Sequence, residues 1–335
     1  MSLPLHARSL GLLAVLAASA PALAADASLL NASYDVAREF YKDFNAQFEP
    51  AWKARTGATV TINQSHGGSS KQARAVIDGL AADVVTMNQQ TDIDAIAAAG
   101  LIAPDWRTRL PYGAAPYAST IVFLVRKGNP KGIHDWDDLV RDGVQLVIPN
   151  PKTSGNGRYS YLGAWAYAQE KYASAEQAQA FVGKLFHNVP VLDAGGRAAT
   201  TTFAQRGIGD VLLTFESEVL QIAKEFNTTD FETVVPSLSV DADAPVAVVD
   251  RVVDKRGSRA LAEAYLQALF TPDGQRLAAR HYLRPRDPAI LAEFRDRFAP
   301  IRLVTVDQAF GGWARAQAEH FADGGRFDQI YAGAK

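Results

Sequence analysis

The sequence predicts an α/β fold of two lobes, each a mostly parallel sheet flanked by helices, with a ligand cleft between them. Three observations predict it. The chain has 335 residues, enough for two lobes of ordinary domain size. Residues 29–100 run strand, helix, strand, helix, strand, helix, the order that builds a parallel sheet with helices on its faces. The middle of the chain repeats this architecture without repeating its sequence.

Taken in order, residues 1–24 read as a secretory signal peptide. Arg8 is its basic region, Leu10 to Ala20 is an apolar run too short to span a membrane, and Ala22-Leu23-Ala24 is a small-x-small cleavage pattern. A buried N-terminal helix is the alternative. Leu29 to Ser33 forms a short strand leading into Tyr34-Asp35. Val36, Phe40, Phe44, Phe48 and Trp52 follow, four apart on one helical face that Thr56-Gly57 ends. That aromatic stripe is core. Thr59 to Asn63 alternates like a strand, and Gln64 to Ser70 is a polar, glycine-bearing loop. Lys71 to Leu80 is a helix, Asp83 to Thr86 a strand, and Thr91 to Ala99 a helix stopped by Gly100.

Pro111 to Pro116 is expected to carry the first crossing between lobes, followed by one long β-run, Ala118 to Arg126. Ile133 to Val140 is a short helix. Leu146 to Ile148 is a buried strand, ended by prolines and followed by the loop Lys152 to Gly157. The helix expected from Arg158 to about Tyr172 buries Tyr161, Leu162 and Trp165. A helix at Ala175–Phe186, a strand at Val189–Leu192, a short helix near Ala198, a strand at Val211–Phe215 and a helix from Glu216 complete the second lobe. Pro245 to Val249 is a strand and the return crossing. Helices at Ser258–Phe270 and Asp273–His281 follow, the second started by Thr271-Pro272. The domain reading is therefore 25–114 with 246–300 as lobe 1 and 115–245 as lobe 2. The lobe of the helical segment 301–335 is left open.

Composition narrows the function. Hydrophobic residues make up 48% of the chain and the net charge is -2, with no basic stretch dense enough for nucleic acid. With no cysteine there is no disulfide framework, thiolate metal site, thiol nucleophile or lipid-modified cysteine. After the signal no apolar run approaches a membrane span, and a bacterial periplasm fits best.

Four loops share one design, a strand end followed by small residues and a helix start. They are Ser33-Tyr34-Asp35, His66 to Ser70, Thr153 to Gly157, and Gly195 to Ala198. In doubly wound sheets ligands bind beyond the carboxyl ends of the strands, so all four can face one cleft. Helix N-termini offer unpaired N–H groups and the positive end of the macrodipole, and glycine lets an anion approach them. Each loop alone also fits plain capping and turn-making. Uncharged donors suit an anion that only accepts hydrogen bonds. Sulfate has no proton to give, whereas phosphate near neutral pH has one and gains from a carboxylate acceptor. Backbone dipoles stabilise a dianion without the desolvation cost of a buried cation.

Enzyme readings find less support. Gly67-Gly68-Ser69-Ser70-Lys71 lacks the spacing of a phosphate-binding P-loop, and no G-x-S-x-G elbow occurs. The six histidines are scattered, so neither a metal nor a cofactor is expected. His66 lies beside a candidate loop, but packing or capping suits it better than catalysis, because no third group orients it.

At these loops the chain resembles the periplasmic sulfate/thiosulfate-binding proteins of bacterial ABC importers, within the type II periplasmic solute-binding family. The matching stretches are Ser33-Tyr34-Asp35, QSHGGSSKQA at 64–73, ADVVT at 82–86, STIVFLVRKGNPKGIHDWDDLV at 119–140, PNPKTSGN at 149–156 and GGRAATTTFAQRGIGDVLLTFESE at 195–218. The similarity covers essentially the whole mature chain. It implies a monomer that closes over one tetrahedral anion, sulfate or thiosulfate, and delivers it to membrane permease subunits, with no catalytic residues. It places ligand contacts on the Asp35 N–H, the Ser69 N–H and hydroxyl, the Gly155 and Asn156 N–H groups and the Gly196 N–H. Ser154 opens the third loop, and Arg158 and Arg197 would brace binding-loop peptides. Sulfate-specific members carry tryptophan where this chain has Phe215, and a glycine where it has Asn156. Phenylalanine donates no hydrogen bond, and the Ser-Gly-Asn and Phe-Glu-Ser-Glu spellings look more like the thiosulfate branch. The expectation is that both anions bind, with thiosulfate favoured. The alternatives are a receptor for molybdate or phosphate, or a secreted hydrolase of sulfate esters.

Overall fold

The computed structural model describes residues 27–225 and 230–333; the expected signal peptide at 1–24 lies outside the described residues. Among the described residues the strands are β1 (Ala27–Tyr34), β2 (Val60–Gly67), β3 (Val84–Thr86), β4 (Tyr117–Ser119), β5 (Ile121–Arg126), β6 (Leu146–Pro149), β7 (Leu192–Asp193), β8 (Val211–Phe215), β9 (Phe231–Val234), β10 (Leu238–Val240), β11 (Ala242–Asp243), β12 (Val246–Val248), β13 (Arg284–Pro285) and β14 (Arg302–Val304). One sheet has the order β12-β3-β1-β2, with β1 parallel to both β2 and β3 and β12 antiparallel to β3. A second has the order β7-β6-β8-β5-β9, with β6 parallel to β7 and β8 and with β5 antiparallel to β8 and β9. These two sheets with their flanking helices form the two-lobed α/β architecture that the sequence predicts.

A three-stranded antiparallel sheet, β11-β4-β13, joins the lobes. The chain leaves β4 at Ser119 and enters β5 of the second lobe at Ile121; it leaves β11 at Asp243 and enters β12 of the first lobe at Val246. The expected continuous run Ala118–Arg126 breaks at Thr120. Thr120 Oγ1 donates to the Val240 carbonyl at 3.0 Å, and the Ile121 N–H donates to Ser239 Oγ at 3.2 Å. These distant partners turn the chain where no proline or glycine does.

The aromatic stripe packs as core. Within the helix Arg38–Thr56, Phe40, Phe44 and Phe48 are buried, and Phe44 and Phe48 each meet the Tyr265 ring edge-on at 5.1 Å. Such contacts add to the area the rings remove from water. Gly57, at φ 76, ends the helix by donating to the Lys53 carbonyl. The C-terminal segment packs against the 115–245 portion: the helix Arg326–Gly333 lies on the helix Ala175–His187, and the His320 ring sits 4.6 Å from Trp165.

Two local differences bear on the site. β2 continues to Gly67 rather than ending at Asn63, because Gln64–Gly67 pair in register with Asn31–Tyr34 of β1. Its polar tip is satisfied in part by Ser65 Oγ donating to Gln72 Oε1 at 3.1 Å. The helix expected from Arg158 starts at Gly155, so Gly155, Asn156 and Gly157 form its first turn rather than a preceding loop.

Candidate functional site

The parallel register sets the site. Tyr34 stands opposite Gly67 and Ser33 opposite Thr86, so the loops after β1, β2 and β3 leave one edge of the first sheet together. In the second sheet Pro149 stands opposite Asp193, so the loops after β6 and β7 also leave side by side. The two edges meet. A Cβ on Gly68 would lie 2.8 Å from the Thr153 carbonyl oxygen and 3.1 Å from that of Ala194. One on Gly195 would lie 2.7 Å from Asp35 Oδ2, and one on Gly196 would lie 3.0 Å from Val36 Cγ2 and 3.3 Å from Asn156 Nδ2. One on Gly155 would lie 1.9 Å from Asn88 Oδ1. Gly68 faces backbone carbonyls of the other sheet's loops, and Gly155, Gly195 and Gly196 face side chains of Asn88, Asp35 and Val36, so the two edges are in contact and the cleft is closed.

The four expected loops are thus brought together. Ser69 begins the helix Ser69–Ile77, where the first internal bond runs from the Gln72 N–H to the Gly68 carbonyl. The N–H groups of Ser69, Ser70 and Lys71 are the donors such a terminus leaves without an intrahelical partner. Ser154 is the N-cap of Gly155–Tyr172, yet its side chain makes no capping bond, and the first internal bond is from Arg158 N–H to the Ser154 carbonyl. The first-turn donors there are Gly155, Asn156 and Gly157. Gly196 begins a third helical segment, Gly196–Thr200. Ser69, Ser154 and Asn156 are all at most 2% exposed.

Asp35 enters differently from expectation. The sequence pointed to its backbone N–H; in the structure its carboxylate crosses the cleft as well, accepting from the Arg197 N–H at 3.2 Å and from the Val36 N–H at 3.1 Å. A carboxylate from the first lobe thereby occupies a helix-start donor of the second. Burial pushes its pKa up, and those N–H donors pull it back.

The two arginines are committed elsewhere. Arg158 Nε donates to the Pro151 carbonyl at 2.9 Å, and its Nη1 reaches across the cleft to Thr91 Oγ1 at 3.1 Å and to Gln317 Oε1. The Arg197 guanidinium pairs with Glu218 and Glu225. Glu218 is fully buried, so it needs that charge. Burial still pushes its pKa up to about 7, against the pull of Arg197 and the Thr200 hydroxyl.

Phe215 ends β8 and is 2% exposed, its ring 6.0 Å from Tyr159 one turn into the Gly155 helix. The neighbouring Thr214 hydroxyl accepts from Asn156 Nδ2 at 3.1 Å, which fixes the Asn156 side chain inside its own lobe and leaves its backbone to the cleft. His66 Nδ1 lies 3.2 Å from the Tyr34 carbonyl, and burial lowers its pKa. Asn88, which the sequence reading did not single out, also stands where the lobes meet, against Gly155. It follows a three-residue strand without a glycine or a cap signature, so no local signal marked it. No group of His, Asp and Glu able to hold a metal occurs among the described residues.

Comparison with known proteins follows the same lines. The family described as bacterial extracellular solute-binding protein matches residues 31–284. The thiosulfate-binding protein of Pseudomonas aeruginosa is 61% identical over 305 residues, covering 91% of this chain and 92% of that protein. The sulfate-binding protein of Escherichia coli is 52% identical over 319 residues, covering 95% and 97%. Among solved structures, the sulfate-binding protein SubI from Mycobacterium tuberculosis superposes with a TM-score of 0.78 at 32% identity, covering 87% of this chain and 98% of that one. A periplasmic thiamin binding protein shares the fold at a TM-score of 0.62 and 16% identity, covering 92% and 96%.

Proposed function

From the premise that the chain belongs to the bacterial extracellular solute-binding proteins, among their sulfate- and thiosulfate-binding members, we propose how it holds its ligand. It is a periplasmic solute-binding protein that captures thiosulfate, sulfate or both for an ABC importer. The anion sits where the Ser69 and Gly155 helix starts face each other. The Asp35, Ser69, Gly155, Asn156 and Gly196 N–H groups and the Ser69 hydroxyl donate to it, Ser154 opens the contact loop and Phe215 forms a wall. Arg158 holds the loop shape, and Arg197 neutralises Glu218 behind it.

The observation that carries this reading is the meeting of two helix N-termini from different lobes, with both nearby guanidiniums bonded elsewhere. Peptide dipoles then supply the positive potential, and the site excludes water without burying a free cation. Residues 25–114 with 246–300 form one lobe and 115–245 the other, swinging on the β4 and β11 connections. The protein works as a monomer, exported through its 1–24 segment, and presents its closed form to permease subunits.

Phe215 tilts the preference toward thiosulfate, whose terminal sulfur is a weaker acceptor and loses little against an apolar ring. Calorimetric titration with sulfate, thiosulfate, molybdate and phosphate tests the proposal. Saturable binding of one sulfur oxyanion per chain is expected, with thiosulfate tighter. Tighter molybdate or phosphate binding would refute the ligand class, and turnover of a sulfate ester would refute the purely binding role.

A further inference from the structure

Asn88 lies outside every motif used above, and its surroundings are those of a ligand contact. It directly follows Met87 at the tip of β3 and is 5% exposed. Its peptide N–H donates to Ser69 Oγ at 3.3 Å. Its side-chain Oδ1 is buried with no hydrogen-bond partner. Across the cleft, a Cβ on Gly155 would fall 1.9 Å from that oxygen and 2.6 Å from Cγ. The carboxamide therefore stands between the Ser69 hydroxyl of one lobe and the first turn of the Gly155 helix of the other.

A buried amide oxygen without a donor is costly, and native structures rarely keep one without a use. The terminal torsion of asparagine is broad and roughly two-fold, so the NH2 group can turn to where the oxygen stands. An oxyanion offers acceptors only, which favours the NH2 face once it is bound. We propose that Asn88 is a ligand-contacting, specificity-determining residue whose side-chain NH2 donates to the bound anion between Ser69 and Gly155. The inference rests on the sulfur-oxyanion reading of the cleft and adds a side-chain donor to it. Phenylalanine at 215 offers no side-chain donor from the end of β8, whereas Asn88 supplies one from the first lobe.

The test compares the purified protein with its Asn88→Ala and Asn88→Asp variants, titrating sodium sulfate and sodium thiosulfate by calorimetry from pH 6 to 8. Loss of one hydrogen bond to a charged ligand should weaken Asn88→Ala about 10- to 100-fold for the anion bound by wild type. Its unliganded melting temperature should not fall, because the orphaned oxygen is gone. In Asn88→Asp an ionised carboxylate cannot face a dianion, so binding takes up a proton. Affinity should then drop up to about tenfold per pH unit beyond the wild-type course. The wild-type course carries the other charged groups around the site: Asp35, Asp92, Arg158, Arg197 and Glu218. Ala-variant affinities within about two-fold of wild type would overturn the proposal. So would an Asp variant that tracks the wild-type pH dependence, since a merely structural asparagine predicts no extra proton. A wild-type protein that binds neither anion would overturn the underlying reading of the cleft, and the proposal with it, before any variant is needed.

Discussion

The two lobes build their halves of the cleft from different materials. The first supplies side chains: the Ser69 hydroxyl, the Asp35 carboxylate and the Asn88 amide. The second supplies backbone, with Gly155, Gly157, Gly195 and Gly196 clustered at its helix starts. The glycines explain the division. Those at 155, 195 and 196 are small because first-lobe groups lie against them, whereas Gly157 is small because its own lobe's Pro149 carbonyl lies 2.2 Å from where a Cβ would go. One set is needed for closure and the other for folding, although Gly155 and Gly157 belong to one Gly-Asn-Gly stretch of the sequence.

The sharpest way to break that comparison is Gly157→Ala. The clash is with backbone inside one lobe, so it persists whether the cleft is open or closed. Overpacking of this kind costs about 3 kcal/mol. Urea denaturation should show that loss of stability without ligand, and unchanged stability would mean the loop yields more easily than its geometry allows.

Gly155→Ala should behave in the opposite way. Its added methyl meets Asn88 only when the lobes meet, so the cost of about 2 kcal/mol falls on the closed state. Anion affinity should drop about 30-fold while the unliganded melting temperature holds or rises, alanine being the better helix former. Equal losses of affinity and stability would erase the distinction between the two glycines.

Ser69→Ala probes the first lobe's side. Removing a hydroxyl that donates to a charged ligand costs about 1.5 kcal/mol, or roughly tenfold in affinity. The same hydroxyl also accepts from the Asn88 N–H, so a small loss of stability should accompany it. Unchanged affinity would remove Ser69 from the set of contacts.

How much of this was legible follows from where the signals lie. The Ser69, Gly155 and Gly196 loops could be read because glycine and hydroxyl residues at strand–helix joints have a local meaning. Their meeting could be anticipated because parallel strands send such joints to one edge. The sheet connecting the lobes could not. β4, β11 and β13 are two or three residues long and are held by partners more than a hundred residues away, so no periodicity reveals them. The ion-pair partners of Arg197, Glu218 and Glu225, approach it only through the fold, so the sequence did not show them. Asn88 was invisible for a similar reason: what marks it is an absent partner and a facing glycine, both tertiary facts.

The smallest expected effect tests the carboxylate behind the second lobe's backbone. Burial pushes the Glu218 pKa from its ordinary 4.5 up to about 7, Arg197 and Thr200 offset part of that, and Asp35 adds to it. An acid whose pKa is raised on folding keeps its proton longer in the folded chain than in the unfolded one. Its contribution is therefore most favourable below its ordinary value, declines as pH rises through that window, and levels off above about 7. Glu218→Gln has no proton to lose, so its stability relative to wild type should improve by about 1 kcal/mol between pH 6 and pH 8. Arg197 loses the same partner at both pH values, and Asp35 is present in both proteins, so these contributions largely cancel in the difference. Denaturation at the two pH values reads it directly. A difference independent of pH would mean that Arg197 holds Glu218 ionised throughout, and that the second lobe keeps a permanent ion pair behind its row of peptide donors.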